Sequence, residues 1–126
     1  MQTEIINTGS ELMLGRVLNT HQQWLCRQLS DLGYGVTRQV AVSDEGSRIQ
    51  TAVRESLVRA DLIITTGGLG PTSDDRTRDL IAEMLGADLV CNEEILSCIT
   101  HFFTSRQRRM PESTKIQAMI PRGAVV

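Results

Sequence analysis

Residues 61–79, Asp-Leu-Ile-Ile-Thr-Thr-Gly-Gly-Leu-Gly-Pro-Thr-Ser-Asp-Asp-Arg-Thr-Arg-Asp, constrain this chain more than any other stretch. Leu62, Ile63 and Ile64 form a continuous apolar run, the pattern of a strand covered on both faces. Gly67, Gly68 and Gly70 then turn the backbone, and Thr72, Ser73, Asp74 and Asp75 stand where a helix is expected to begin. Strand, glycine loop and helix start together offer several backbone N–H groups to an anion. A phosphate beside two adjacent carboxylates calls for a bridging cation such as Mg²⁺. The loop lacks the Gly-Lys-Ser/Thr ending of a P-loop and the Gly-x-Gly-x-x-Gly of a dinucleotide fold. The plainer reading of the same residues is a tight turn followed by a helix capped by Ser73 or Asp74.

The rest of the chain alternates two periods. Thr3–Thr8, Val36–Val42 and Leu62–Thr66 read as strands. Helices are expected from Asn19 or Thr20 to Gly33, from Ser43 or Asp44 to Ala60, after the glycine loop to Gly86, and from Asn92 past Phe103. Asp88–Cys91 reads as a short edge strand, and Pro111–Met119 as a short helical piece. Strands separated by helices of this length imply a three-layer α/β/α fold with a mainly parallel sheet. At 126 residues the chain makes one domain, 1–126. Ala124-Val125-Val126 reads as the start of a further strand, so a C-terminally truncated domain is expected.

Composition excludes several functions. A net charge of −2 gives no general attraction to nucleic acid or anionic membranes. Trp24, Tyr34, Phe102 and Phe103 are too few and scattered to form a stacking platform for single strands. No apolar run approaches the ~20 residues of a membrane span, and no signal-type segment opens the chain, so a cytoplasmic location is expected. Cys26, Cys91 and Cys98 show no Cys-x-x-Cys spacing and read as reduced thiols acting as small hydrophobes. The basic run Arg106-Gln107-Arg108-Arg109 suits the negative end of the helix it follows.

In a parallel sheet the loops leaving the strands' carboxyl ends gather on one side. These are Gly9-Ser10-Glu11, Ser43-Asp44-Glu45 and residues 67–75, each with a carboxylate beside a glycine or hydroxyl residue. Taken singly, Asp44 serves equally well as a helix cap and Glu11 as a solvated side chain. Taken together, three acidic loops favour a cation-assisted phosphate site.

The chain resembles the molybdopterin-binding-like domain of the MogA/MoaB/MoeA superfamily, and most closely the N-terminal domain of the CinA family (competence/damage-inducible protein A). The resemblance runs through Thr8-Gly9-Ser10-Glu11-Leu12, Gly15, Asn19-Thr20, Val42-Ser43-Asp44 and residues 66–75. His21 departs from it, standing where the family often has Asn. By this resemblance Asp44 and Asp75 are the acidic pair expected to act in chemistry. Gly67, Gly68, Gly70, Thr72 and Ser73 match the phosphate-cradling loop, and Glu11 and Asn19 line the same pocket. Asp74 and Asp75, with Asp44, would hold a divalent metal ion such as Mg²⁺. The implied function is metal-dependent hydrolysis of a nucleotide-sugar pyrophosphate such as ADP-ribose. The alternatives are binding of molybdopterin or its adenylylated form in cofactor assembly, or a regulatory nucleotide-binding domain without chemistry. The expected ligand is a small nucleotide or pterin phosphate, and self-association into a homo-oligomer is a further expectation.

Overall fold

The computed structural model describes residues 1–126. They fall into two compact units, Met1–Gly68 and Leu69–Val126.

In the first unit, β1 (Thr3–Thr8) is followed by a single helical turn, α1 (Ser10–Met13), and by α2 (Thr20–Asp31). Then come β2 (Val36–Val42), α3 (Gly46–Leu57) and β3 (Leu62–Thr66). The three strands pair in parallel in the order β2-β1-β3. β1 is central, and all six of its residues are buried. Successive side chains of a strand point to opposite faces, and β1 uses both. Asn7 bonds to Gln22 of α2, whereas Glu4, three residues earlier and therefore on the other face, bonds to Ser56 of α3. Helices thus cover both sides of the sheet, the expected three layers. Ile5, Ile6, Ile49 and Val53 form the apolar centre, each at most 3% exposed.

Glu4 is the one charge inside this core. Its carboxylate accepts from the Ser56 hydroxyl at 2.6 Å and from Arg59 Nε at 2.6 Å. Burial pushes its pKa up, but the Ser56 hydroxyl and Arg59 guanidinium outweigh that and leave it below the ordinary 4.5.

Local chemistry sets the ends of these elements. The Asn19 side chain accepts from Gln22 N–H and caps α2. Gly33, at φ +84°, takes the left-handed conformation that ends it. The amphipathic faces are narrower than their periodicity suggests, since Leu32 and Leu57 are exposed while Leu29 and Ile49 are buried.

The second unit holds α4 (Thr77–Met84), β4 (Leu89–Cys91) and α5 (Glu93–Thr104). A 3-10 helix (Glu112–Ala118) and β5 (Met119–Pro121) follow. Asn92 caps α5 by accepting from Ile95 N–H at 3.0 Å. β4 pairs antiparallel with β5, so its partner is a strand absent from the sequence reading. No strand forms over 124–126, where Gly123 at φ +84° and a bond from Ala124 N–H to the Pro121 carbonyl close a turn. Arg106 stacks on the Phe102 ring at 3.8 Å and donates to the Phe102 carbonyl, as a cation at a helix end should. Cys91 and Cys98 are exposed, not packed as small hydrophobes. No helix is long and apolar enough to cross a membrane.

Candidate functional site

The chain leaves β1 toward β2 on one side and then returns across β1 to place β3 on the other. The strand order therefore reverses at β1, and in open α/β sheets such a switch point leaves a crevice beyond the strands' carboxyl ends. A cleft of about 210 Å³ lies there. Thr8 closes β1 and Thr66 and Gly67 close β3 at its floor, while Glu11 and Asn19 stand on its walls. Leu12, Val17, Leu18, Thr20 and His21 complete the lining.

Gly67 is required at its position. Its φ is +88°, and an added Cβ would lie 2.1 Å from the Thr8 carbonyl oxygen. Gly68 follows at φ +63°. Two successive left-handed residues turn the chain away directly past the strand end, which only glycine does without strain. The Thr8 hydroxyl donates to the Thr66 carbonyl at 3.2 Å and joins the two strand ends.

Asp44 does not cap the helix after β2. Glu45 occupies the cap position of α3 without a side-chain bond. The Asp44 carboxylate instead accepts from Ser10 N–H at 2.9 Å, and Asp44 N–H donates to the Ser10 hydroxyl at 3.4 Å. With Gly9 N–H on the Val42 carbonyl at 3.0 Å, Asp44 fastens the loop after β2 to the loop after β1. Asp44 does not line the cleft.

In the second unit the loop closes on itself. Asp75 Oδ2 accepts from Thr72 N–H at 3.0 Å and from the Thr72 hydroxyl at 2.5 Å. The carboxylate lies against Gly70, where a Cβ would come within 2.5 Å of Oδ2. The Thr72 hydroxyl first, and its N–H second, hold the Asp75 carboxyl below the ordinary 3.8 and keep it ionised. Ser73 and Asp74 are exposed in the same turn, and neither caps α4, which begins at Thr77 with Arg76 at the cap position and no side-chain bond. Thr72 and Asp75 thus brace the loop rather than cap the helix.

The predicted site residues therefore form two groups. Glu11, Asn19 and Gly67 share the cleft, with Gly68 next in the turn; Gly70, Thr72, Ser73, Asp74 and Asp75 share the loop of the second unit. Within neither unit do three His, Cys, Asp or Glu side chains gather as metal ligands. Asp44 is bonded to Ser10 in one unit, and Asp75 Oδ2 accepts two bonds from Thr72 in the other. Asp44 and Asp75 thus each serve a loop contact within their own unit.

Sequence reasoning missed Thr8, Thr66 and the polar group beneath the cleft. Asn7 is fully buried, and its amide donates to Gln22 Oε1 at 3.1 Å and to the Val40 carbonyl at 3.3 Å. A signal was present: Asn7 is a polar residue in a buried strand, and Asn19-x-x-Gln22 has the spacing of a capping box.

A parallel, doubly wound sheet with a cleft at its switch point defines an open α/β domain of the class whose ligand crevices lie beyond the strands' carboxyl ends. The family described as the probable molybdopterin binding domain matches residues 4–126. The chain is 44% identical over 126 residues to a putative competence-damage inducible protein of Symbiobacterium thermophilum, and 48% identical over 124 residues to one of Desulforudis audaxviator. Those alignments take in 100% and 98% of this chain, and 30% of each relative. The CinA protein of unknown function from Thermoplasma acidophilum superposes with a TM-score of 0.82 at 32% identity, over 96% of this chain and 70% of that one. The molybdopterin biosynthesis enzyme MoaB of Thermus thermophilus shares the fold, with a TM-score of 0.66 at 21% identity over 95% of this chain and 78% of that one. The chain belongs to the probable molybdopterin binding domain family and, within it, groups with the CinA proteins. It spans about 30% of the length of the curated relatives it matches.

Proposed function

We propose that this domain binds a phosphate-bearing pterin of the molybdopterin type in the cleft at the ends of β1 and β3. The observation that carries this reading is the cleft itself: a concave site at the switch point, floored by strand ends and followed by consecutive left-handed glycines. The family description and the MoaB likeness support a pterin over other small ligands. Metal-assisted hydrolysis of a pyrophosphate such as ADP-ribose is the second reading, favoured by the ionised Asp75 carboxylate. It takes second place because the Asp44 carboxylate is bonded to Ser10 and the Asp75 carboxylate to Thr72.

Calorimetric titration with molybdopterin and with ADP-ribose, each with and without Mg²⁺, separates the two. The binding reading predicts metal-independent affinity for the pterin, weakened about tenfold in Asn19→Ser, which keeps a capping oxygen while losing the amide. Mg²⁺-dependent turnover of ADP-ribose with no pterin binding would favour the second reading instead.

A further inference from the structure

The hydrogen bonds beneath the cleft have a fixed direction. The Val40 carbonyl can only accept, so the Asn7 amide must turn its Nδ2 toward it and its Oδ1 away. Asn7 Oδ1 then faces the Thr66 hydroxyl at 3.0 Å, and that hydroxyl must donate inward. Asn19 is oriented in the same way. The Gln22 backbone N–H can only donate, which places Asn19 Oδ1 against it at 3.1 Å and leaves Nδ2 facing Gln22 Oε1 at 3.1 Å. Gln22 Oε1 thereby accepts from Asn7 and Asn19 together. Its own amide nitrogen bonds to Gln39, which reaches on to Cys26.

We infer that Asn7 and Gln22, which do not line the cleft, are positioning residues that set its hydrogen-bond polarity, so that it takes a neutral group carrying N–H or O–H donors rather than a phosphate. The Thr66 hydroxyl has given its hydrogen to Asn7 and can only accept from a ligand. Asn19 has spent one amide hydrogen on Gln22, which fixes the direction of the other. Glu11 adds a carboxylate, and neither lysine nor arginine lines the cleft. The Glu11 carboxylate, with no lysine or arginine beside it, disfavours an anion, whereas an amino or imino edge, or a row of sugar hydroxyls, would find acceptors at Glu11 and Thr66 beside the remaining Asn19 N–H and the Thr20 and His21 side chains. The inference rests on the cleft being the ligand site and assigns which end of the ligand enters it.

Neopterin, a phosphate-free pterin, adenosine and inorganic phosphate serve as probes, with titrations followed by pterin fluorescence or calorimetry. Neopterin or adenosine should bind, the better of the two naming the source of the donors, and inorganic phosphate should not displace it. Gln22→Met, which keeps chain length and helix propensity, should weaken that binding about tenfold, the scale of one lost polar contact. Gln22→Asn, whose oxygen is drawn back by a methylene, should do the same if Gln22→Met lowers the melting temperature. In an Asn19→Ser background Gln22→Met should cost less than it does in the parent, because part of its effect runs through Asn19. If Asn19→Ser weakens binding and neither Gln22 variant does, the positioning role falls while the cleft stands. If Asn19→Ser and Glu11→Gln both bind as the parent does, the cleft is not the site and the proposed function falls with it. Displacement of the neutral probe by inorganic phosphate, or no binding of either neutral probe, overturns the polarity assignment alone.

Discussion

Single atoms decide the geometry at Gly67 and Glu4, and each gives a sharp expectation. Gly67→Ala combines a left-handed φ, costing about 1–2 kcal/mol for an alanine, with a Cβ 2.1 Å from the Thr8 oxygen. Denaturant melts should show a loss above about 2 kcal/mol. Glu4 and Asp75 act through ionisation. A carboxyl whose folded pKa lies below its ordinary value contributes stability that is present above the ordinary value and lost as pH falls through the lower, folded one. For these two the ordinary values are 4.5 and 3.8. Stability should therefore change little through these groups above pH 4.5 and decline below it. Glu4→Gln should flatten part of that decline and lower stability at neutral pH by about 2 kcal/mol, the scale of hydrogen bonds to a charged partner. Both are read from urea melts across a pH series, and an unchanged acid limb in Glu4→Gln would exclude Glu4 as a source.

At the scale of elements, the sequence carried the strands well and the loops poorly. Thr3–Thr8, Val36–Val42 and Leu62–Thr66 were legible because apolar or β-branched runs between turn residues leave few other structures. The caps at Asn19 and Asn92 were legible because a short amide beside a helix start has one good use. Asn92 stands outside the cleft, so Asn92→Ala isolates capping and should cost about 1 kcal/mol, without changing ligand affinity. The loops were less legible because Asp44 and Asp75 each have several satisfying partners within reach. Periodicity does not choose among them. Asp44, for which helix capping was the simpler expectation, goes to Ser10 across 34 residues of chain, and Asp75, expected to act in chemistry, goes to Thr72 within its own turn. The turn of α1 was invisible because four residues are too few to show a period. β1, buried on both faces, is the element on which the first unit depends: Ile5→Ala should cost about 2–5 kcal/mol in denaturant melts.

For the whole molecule, topology places the cleft, and the topology follows from three parallel strands with β1 between its successors. The strand-helix alternation announced a parallel sheet, and the motif resemblance announced the family, but the order β2-β1-β3 is a matter of tertiary pairing that no local pattern encodes. The two-unit contact pattern, with a β4–β5 ribbon in the second, was equally hidden, since a three-residue strand such as Met119–Pro121 carries almost no signal. The central claim is that the ends of β1 and β3 hold the ligand. Amide chemical-shift mapping during titration with molybdopterin tests it most directly. The shifts should concentrate on Thr8, Glu11, Asn19, Thr66 and Gly67, with α5 silent; saturable shifts confined to α5, or no shifts at all, would contradict it.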